Sequence, residues 1–598
     1  MSRELFERFQ PALSEEALLQ NNFFELYPHD GGGSFVHREL LGSVDDLQMA
    51  DFILQGGALE QFGKLPKLDY HKFARWLHIE KSCWLTRMYF IVPLAKKYRL
   101  EGNEEIAILL KELLLDFYAS MPAPQGVQAN VDYWREIHRR RDEDYNKRSF
   151  EEYSRDEREI DYSWYDFQPA SRLIHSLHAL YLLRNSPSIN EEEWRQLADF
   201  CRLHGETLYI QEKHCNELKR GNHQALRATA LLYAAVFSQN QDWARLGLEI
   251  SRWHLKNDYF ADGSLREISP SYHCFETWIC RDAAILAERL GGPFEEAELE
   301  ALMKALQACR ILETPNGYTV VLNDGYPVNN TAFIDSFAGL FEQLPAAESG
   351  TQLLADAQLA VWRQGDSYLL LDASPFVGRF SHYHAGKNAL TLWVKGEPFL
   401  VDSACCNYDD PKFAQWYKLT EAHSSLLLNG QRDAELAGTY DWQQTPEPKL
   451  GGWENNGELG RQQISAELRS PCWPGACWQR TLQVPASQDE LEINLIDRVS
   501  CGDCEAELVF VLHPQVQTQM LDEGIILSSG KVKLMMHWLC LELDCPAKPQ
   551  PSLVEGMVYE DFEHRQSKRL ILKFNTGGRH SIRTNFRLLG TEDNMNCP

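Results

Sequence analysis

Two histidines separated by one residue are the first feature of this sequence whose type and spacing suggest chemistry. His382 and His384 lie in the segment GRFSHYHAGKNALTLWVKGEPFLVDS, which otherwise alternates as a β-strand does. Residues i and i+2 of a strand face the same side of a sheet, so both imidazoles can face one site. They are an exposed pair, two ligands of one metal, or two groups with different roles, and their spacing does not decide between these interpretations.

A carboxylate and a third histidine follow this pair. Asp402 ends the segment EPFLVD, and His423 lies in LTEAHSSLLLNG. Two imidazoles and one carboxylate are a fitting ligand set for Zn²⁺. The sequence therefore permits a zinc site here, although the long separations along the chain do not establish one.

Further candidates lie where helices are predicted to begin. Asn222 and His223 precede QALRATALLYAAVF, where they are either a helix cap and a first-turn residue or an amide and an imidazole that project into a cavity. In a cavity they would bind a carboxylate and share a proton. Tyr272 lies in SPSYH, and Pro270 biases the residue before it away from helix, which places Tyr272 near a helix start. It is either a buried structural tyrosine or a catalytic group.

The elements that must position these residues divide the chain into two halves. From about residue 45 to 345, apolar residues recur at helical spacing, as in NEEIAILLKELLLDFYASM and CRDAAILAERLGG. Asn190 before an acidic first turn is a typical helix start. Because no tight sequence repeat is visible, a closed toroid of helical hairpins is favoured over a regular solenoid.

After about residue 355 the pattern changes to short alternating segments bounded by Gly, Asn, Asp and Pro, such as SSLLLNGQ, ELEINLIDRVS and AELVFVLH. This pattern predicts an antiparallel β-sandwich. The segment WVKGEPFLVD predicts a hairpin whose turn is Lys-Gly-Glu.

Composition excludes some functions. The 598 residues carry a formal net charge of -27, which opposes binding to nucleic acid or to an anionic membrane, whereas a small anionic substrate needs only a local group of basic residues. The 16 Trp and 23 Tyr are typical of large cores and of clefts that bind sugars. The first residues contain no apolar secretory segment and no run of roughly 18 apolar residues occurs, so the prediction is a cytoplasmic protein.

The 15 cysteines are accordingly predicted to be reduced thiols. Cys501 and Cys504, with Cys472 and Cys477 upstream, have the only metal-like spacing, and one CxxC is weak evidence for zinc. The adjacent Cys405 and Cys406 are predicted to be inert.

A run dense in both signs of charge occupies residues 133 to 162. Such a run is typical of a solvated helix or loop. Alternatively, Arg139, Arg140 and Arg141 overhang a cleft and attract an acidic ligand.

Taken together, the motifs resemble one family. Asn222-His223, Tyr272 in SPSYH, His382-x-His384, GEPFLVDS and EAHSSLLLNGQ occur in the order seen in the heparinase II/III-like polysaccharide lyases, which include heparin, heparan sulfate and oligoalginate lyases. The resemblance covers roughly residues 70 to 590. It implies an incomplete (α/α) toroid, residues 1–350, followed by an antiparallel β-sandwich, residues 351–598, with catalysis in the cleft between them.

The resemblance also implies roles for individual residues. Asn222 matches the carboxylate-neutralising amide, Tyr272 the catalytic tyrosine, and His223 and His382 the two active-site histidines. The ligands of a structural zinc match His384, Asp402 and His423. On this interpretation His382 faces the substrate and His384 faces the metal.

One residue departs from the family pattern, and one assignment has two candidates. Many relatives have an acidic residue two positions after the second histidine, where this chain has Gly386, so the support of His384 is uncertain. An accessory active-site tyrosine corresponds to either Tyr408 or Tyr417.

The implied activity is β-elimination on a short oligosaccharide that contains uronic acid: the C5 proton is removed, with Tyr272, His223 or His382 as base, and the C4-linked sugar leaves. A glycoside hydrolase on a similar toroid is the alternative enzyme and requires two carboxylates flanking the bond. Asp166 and Glu267 are candidates for these, although nothing in the sequence pairs them. A non-catalytic glycan-binding protein is the third interpretation.

Overall fold

The computed structural model describes residues 2–29, 31–42, 45–70, 79–147, 161–377, 382–408, 410–456, 460–486, 491–541 and 548–590. Its first half is helical. The helices are α1 Arg3–Arg8, α2 Glu15–Gln20, α3 Phe23–Leu26, α4 Gly31–Leu41, α5 Asp46–Leu54, α6 Ile79–Arg87, α7 Ile91–Glu101, α8 Glu104–Ser120, α9 Gly126–Lys147, α10 Phe167–Leu183, α11 Glu191–Cys215, α12 Asn222–Ser238, α13 Gln241–Asn257, α14 Pro270–Arg289, α15 Glu296–Ile311 and α16 Asn330–Asp335.

Most of these helices share one continuous apolar core, whereas Trp134 and Ile137 of α9 lie in a smaller separate cluster. The helical arrangement, which matches the heparinase-like fold, confirms the predicted helical toroid. Asn190 caps α11 with a capping box, as its sequence predicted: its side chain accepts from the Glu193 amide while the Glu193 carboxylate accepts from the Asn190 amide. The helices begin at Arg3, before the helical periodicity becomes visible near residue 45 and within residues 1–350, which the resemblance implied for the toroid. The reason is burial, because Phe6 of α1 packs on Trp194 and Phe237 at ring-centroid distances of 5.0 and 4.9 Å.

The second half consists of strands. After the short β1 and β2, the strands are β3 Gly350–Leu354, β4 Leu359–Gln364, β5 Ser367–Asp372, β6 Ala389–Val394, β7 Glu397–Leu400, β8 Leu426–Leu428, β9 Glu435–Leu436, β10 Trp442–Gln444, β11 Glu447–Leu450, β12 Glu454–Asn456, β13 Arg461–Arg469, β14 Cys477–Pro485, β15 Glu492–Ser500, β16 Glu505–Leu512, β17 Gln517–Leu521, β18 Gly524–Ser529, β19 Val532–Cys540, β20 Gln550–Glu560, β21 Glu563–Asn575 and β22 Arg579–Leu588. The short pair β1 and β2 is Gly63–Lys64 and Lys67–Leu68.

The strands form two antiparallel sheets whose facing sides enclose a second apolar core, which confirms the predicted sandwich. One sheet has the order β11-β13-β14-β15-β22-β19-β18-β17 with β12 on β13, and the other β20-β21-β16-β7-β6-β5-β4-β3 with β8 on β16. The predicted hairpin joins β6 to β7: Val394 pairs with Glu397, and Lys395 and Gly396 take φ values of 50° and 81°. Two positive φ values are what a two-residue hairpin turn of the favoured hand requires.

The two halves meet through a third apolar cluster. Ile268, Leu312 and Leu322 of the helical half pack with Val361 and Leu370 of the sandwich. This packing holds the loop before α14 against the sheet that contains β5 and β6. His382 and His384 lie in the connection between these strands, so the prediction that they lie on a strand is wrong. The candidate functional residues from both halves therefore meet at this junction.

The prediction of reduced thiols is wrong for one pair. Cys501 and Cys504 form a disulfide in the tight connection between β15 and β16, which brings their Cα atoms to 6.8 Å. Cys472 and Cys477 are free, and Cys405 and Cys406 are free and buried. The CxxC pair is thus occupied by its own disulfide and does not form a zinc site.

The predicted charged run is helical up to Lys147 as part of α9, and its residues 148–160 lie outside the described residues. Arg139 and Arg140 pair with Glu136 on the exposed side of the helix, whereas Arg141 lies 3.4 Å from the Asp166 carboxylate. One of the three arginines therefore reaches the cleft. Within the described residues, no helix combines the length and apolar character needed to cross a bilayer.

Candidate active site

Asn222 and Glu267 form the centre of the cleft. Gly221, with φ of 131°, ends the preceding loop, so Asn222 is the first residue of α12 rather than its cap. The Asn222 amide donates to both Glu267 oxygens, at 3.1 and 3.3 Å, while its own oxygen has no hydrogen-bond partner among the described residues. Burial and the field of Asp258 raise the pKa of Glu267, against the lowering effect of His382 and Asn222.

Tyr272 and His382 lie against each other beside this pair. Tyr272 is in the first turn of α14, which begins at Pro270 as predicted, and its ring stacks on His382 at a centroid distance of 3.8 Å. His382 Nε2 lies 3.6 Å from the Glu267 carboxylate. Asn222, Tyr272 and His382 therefore converge around one point, although they come from three segments and both halves of the chain.

Tyr408 is the tyrosine that joins the site. Its hydroxyl is 2.9 Å from the Tyr272 hydroxyl and 3.5 Å from His382 Nδ1. Burial and the neighbouring Asp324 raise the pKa of Tyr408 well above its usual range. Tyr417 points elsewhere, because its hydroxyl is 2.7 Å from His564 Nδ1. Of the two tyrosines that the sequence left open, Tyr408 is therefore the one that contacts Tyr272 and His382.

Asp324 connects the two histidines of the HYH segment. One carboxylate oxygen lies 3.0 Å from His382 Nδ1 and the other 2.7 Å from His384 Nε2. Although burial opposes it, these two hydrogen bonds lower the pKa of Asp324 well below its usual range. Against burial, Asp324 and Glu267 raise the pKa of His382. Asp324 thus fixes the orientation of His382 beneath Tyr272.

His223 belongs to a neighbouring arrangement. Its Nδ1 lies 2.8 Å from Asp166, whose other oxygen accepts a hydrogen bond from Arg227. Although burial opposes it, His223 and Arg227 lower the pKa of Asp166 well below its usual range. The His223 side chain is 45% exposed, so it borders the cleft while Asp166 holds one face of its ring.

The predicted zinc ligands lie on the far side of Asp324. His384 Nδ1 is buried without a hydrogen-bond partner in the described structure, and burial lowers the pKa of His384 to about 4. The His384 and His423 rings are 5.5 Å apart, and Asp402 lies 2.8 Å from His423 Nδ1. His423 Nε2 lies 3.0 Å from the Tyr417 carbonyl oxygen.

In the described part of the chain, two groups place three ligand atoms within 4.8 Å of one another: Asp324, His384 and Cys405, and His254, Asp258 and Glu276. Asp402 and His423 belong to neither group.

The structure explains why residue 386 is a glycine rather than the acidic residue of many relatives. Its φ is 80°, and a Cβ there would lie 2.7 Å from the Cβ of His423. Its amide donates to the Asp433 carboxylate at 2.8 Å. A larger residue would displace His423, and His384 takes its carboxylate partner from Asp324 instead.

A pocket with a volume of about 620 Å³ opens beside Tyr408. Cys406 and Asn407 form its wall next to Tyr408, and the aromatic rings of Phe35, Tyr559 and Phe562 line it. Phe35 lies 6.2 Å from the Tyr408 ring. Flat aromatic rings in a pocket are suited to contact sugar rings.

Sequence reasoning missed Asp324 and did not assign Glu267 its position. Asp324 lies in VLNDGYP, where Asn-Asp-Gly indicates a turn and gives no sign of a partner nearly sixty residues away. Glu267 was considered only as half of a hydrolase pair with Asp166. The structure joins Glu267 to Asn222 and Asp166 to His223.

A helical toroid followed by an antiparallel sandwich, with an amide, a tyrosine and an imidazole meeting at their junction, defines a two-domain architecture. The crystal structure of Heparinase III has a similar fold: its TM-score is 0.71 at 15% identity, over 99% of this chain and 90% of that chain. Residues 58–349 match the family model of the heparinase II/III N-terminus, and residues 347–587 match that of the heparinase II/III-like C-terminal domain. The chain belongs to the heparinase II/III-like family.

Two relatives are described as heparin-sulfate lyases. That of Pedobacter heparinus is 26% identical over 243 residues, 36% of this chain and 37% of the relative. That of Bacteroides stercoris is 20% identical over 436 residues, 67% of this chain and 62% of the relative. The matched regions thus span less than two thirds of these two relatives.

Proposed function

We propose that the protein is a polysaccharide lyase that cleaves a uronic-acid-containing glycan of the heparan sulfate type by β-elimination. The observation that carries this proposal is the convergence of Asn222, Tyr272 and His382 around one point at the junction of the two halves. The glycan class follows the names of the heparin-sulfate lyases that the chain resembles.

The chemical problem is the C5 proton, which is weakly acidic beside an ionised carboxylate because its removal concentrates negative charge on that group. The Asn222 amide is the donor that neutralises the uronate carboxylate, and His382 Nε2 lies on the same side of the cleft. A donor placed where charge develops typically contributes about 2.7–4 kcal/mol of barrier lowering. Glu267 occupies this position in the present structure, so it marks where a carboxylate binds.

Tyr272 transfers the proton. Tyr272 acts from its ionised form: the phenolate oxygen accepts the proton as the C5–H bond breaks, the C4–C5 double bond forms, and the C4–O bond breaks; the hydroxyl so formed then protonates the departing sugar oxygen, which restores the phenolate. Tyr408 supports this exchange, since its hydroxyl is hydrogen-bonded to that of Tyr272 at 2.9 Å. His382 is less suited as the base, because its two nitrogens face Asp324 and Glu267.

The hydrolase alternative finds less support. A glycoside hydrolase needs one carboxylic acid with a raised pKa and a second carboxylate across the bond. Asp166 has a lowered pKa because His223 and Arg227 surround it, although its burial acts in the opposite direction. The raised pKa of Glu267 would suit the acid, but Asp166 does not suit the second carboxylate, because it is buried and its two oxygens face His223 and Arg227. Its role is to orient His223.

A structural zinc held by His384, Asp402 and His423 is part of this proposal. The donor types suit a zinc ion: among the described residues His384 has a buried nitrogen without a partner, and its ring lies 5.5 Å from that of His423. His423 would exchange one of its two present partners, Asp402 or the Tyr417 carbonyl, for the ion. Zinc here would supply no chemistry to the substrate and would stabilise the segments that carry His382. Because Asp324, His384 and Cys405 form a competing group, metal analysis of His423→Ala and Cys405→Ala separates the two ligand sets.

The activity is tested on the purified full chain with heparan sulfate, hyaluronan, chondroitin, alginate and bacterial capsular oligosaccharides. A lyase produces a conjugated double bond, so ultraviolet absorbance should rise together with new reducing ends on at least one of these glycans. New reducing ends without that absorbance would instead indicate a hydrolase. Binding of a glycan without either product would indicate the non-catalytic interpretation.

A further inference from the structure

A second buried cluster of histidine and carboxylate side chains lies inside the toroid, outside the site described above. His254 is in the last turn of α13, Asp258 follows that helix directly, and Glu276 is in α14. Their exposed fractions are 0%, 3% and 0%, and one ligand atom from each lies within 4.8 Å of the others.

The cluster is notable for polar atoms that lack partners. Both Glu276 oxygens, Asp258 Oδ1 and His254 Nε2 are buried and have no hydrogen-bond partner among the described residues. The one ion pair within the cluster joins His254 Nδ1 to Asp258 Oδ2 at 2.5 Å. Over the described ranges, neither carboxylate pairs with a lysine or an arginine.

Two carboxylates that are buried so close together need a compensating positive charge. Removing an ionised carboxylate from water is costly unless it is paired or binds a metal. One imidazole serves Asp258 but leaves Glu276 without a counter-charge. The missing positive charge comes either from a proton held by Glu276 or from a bound cation.

We propose that His254, Asp258 and Glu276 bind a divalent transition-metal cation, Zn²⁺ or one with similar ligand preference. One imidazole and two carboxylates form a mixed nitrogen and oxygen set, which suits such cations better than the all-oxygen sites of Ca²⁺ or Mg²⁺. Four atoms without partners provide the lone pairs that a cation requires. Without it, burial and the neighbouring Asp258 raise the pKa of Glu276 well above its usual range, so a cation would also remove this energetic conflict.

The position of the cluster indicates what the cation would do. Asp258 accepts from the Gly221 amide at 3.5 Å, directly before Asn222, and Glu276 lies one helical turn after Tyr272 on the same face of α14. The cation would therefore tie together the end of α13 and the starts of α12 and α14. This role is structural, so it does not depend on the proposed lyase activity.

The experiment compares Glu276→Gln with a matched control, Glu288→Gln, which makes the same change at an exposed position of α14. Full-length proteins are produced with added zinc, and metal content is measured by mass spectrometry alongside the melting temperature. We expect Glu276→Gln to lose one metal equivalent relative to wild type and to melt at a lower temperature. Glu288→Gln should keep the wild-type metal content and melting temperature. An unchanged metal content with an equal or higher melting temperature overturns the proposal, because glutamine mimics the protonated acid.

A second measurement does not depend on a variant that folds. Anomalous scattering at the zinc edge from wild-type crystals locates the bound zinc directly. A peak between His254 and Glu276 supports the proposal. A peak confined to the neighbourhood of His384, or none, overturns it.

Discussion

Two buried groups of histidines and carboxylates flank the candidate active site, and they differ in how their buried carboxylates are neutralised. In the Asp324 cluster, which comprises Asp324, His382 and His384, two imidazoles surround one carboxylate and both of its oxygens are occupied. The Glu276 cluster, formed by His254, Asp258 and Glu276, has two carboxylates for one imidazole. Four of its polar atoms have no hydrogen-bond partner within the described part of the chain.

The difference teaches what each cluster is suited to do. Both oxygens of the Asp324 carboxylate are satisfied by imidazoles, so Asp324 orients His382 without a further component, and the proposed zinc would serve only His384 Nδ1. An excess of carboxylates is incomplete and requires a proton or a cation from outside the chain. Tyr272 lies between the two: its ring stacks on His382, and Glu276 follows it by one helical turn.

The largest expected effect comes from the residue between the clusters. Tyr272→Phe removes the hydroxyl that we propose transfers the proton, while it retains the ring that packs on His382. We expect kcat to fall by about 100- to 10,000-fold, the usual contribution of a general acid or base, with the melting temperature little changed. Tyr417→Phe is the control, since its hydroxyl bonds His564, and it should retain activity. Equal turnover in both variants would remove Tyr272 from the mechanism.

Breaking the complete cluster should cost stability as well as turnover. Asp324→Asn leaves two buried imidazoles without their shared carboxylate, and loss of one partner from a buried charged pair typically costs about 3–5 kcal/mol. Chemical denaturation should show a decrease in unfolding free energy of this order, and kcat should fall because His382 is no longer oriented. Asp335→Asn, the same change at an exposed helix end, should alter neither quantity. A stable but inactive Asp324→Asn protein would show that Asp324 acts on chemistry alone.

How far the sequence anticipates these clusters depends on the source of each residue. The caps and helix starts that place Asn190, Asn222 and Tyr272 are local signals, so spacing and residue type predicted them. The order of motifs predicted His382. Asp324 and Glu276 carry no such signal, because their partners lie in other segments and only the packing of toroid against sandwich, or of helix against helix, brings them together. The same holds for the choice of Tyr408, which required the direction of its hydroxyl.

Local sequence patterns also do not predict two further features, the helices before residue 45 and the disulfide of Cys501 with Cys504. The first is explained by Phe6, whose burial depends on a partner such as Trp194 far along the chain. The second depends on how closely the connection of residues 501–504, which joins β15 of one sheet to β16 of the other, brings its two end cysteines together. In each case a short segment without strong periodicity is defined by its tertiary partners.

A smaller effect on turnover is expected from Glu267. Its pKa is influenced by both clusters, because His382 lowers it and Asp258 raises it. Its net pKa is raised, so it stays protonated above the usual range for glutamate and becomes charged as the pH rises through its own pKa. Charged Glu267 repels the uronate carboxylate from Asn222, so KM should rise with pH by up to about tenfold per unit in that window. Glu267→Gln should abolish this pH dependence. If the KM profile of the variant has the same slope, Glu267 does not compete with substrate.

The smallest effect is expected outside both clusters, in the aromatic pocket beside Tyr408. Phe562 lines it, and an aromatic contact is worth about 0.5–1.5 kcal/mol beyond its buried area, which corresponds to roughly 2- to 12-fold in affinity. If the pocket is a sugar subsite, Phe562→Ala should raise KM by this factor on long glycans and leave the shortest cleavable oligosaccharide unaffected. The four carboxylates in the lining favour an uncharged sugar residue there. Tyr318→Ala, at an exposed aromatic residue that does not line the pocket, is the control. A change in kcat on the shortest substrate would instead place Phe562 in the packing that supports Tyr408, and the pocket would then belong to the catalytic centre rather than to a separate sugar subsite.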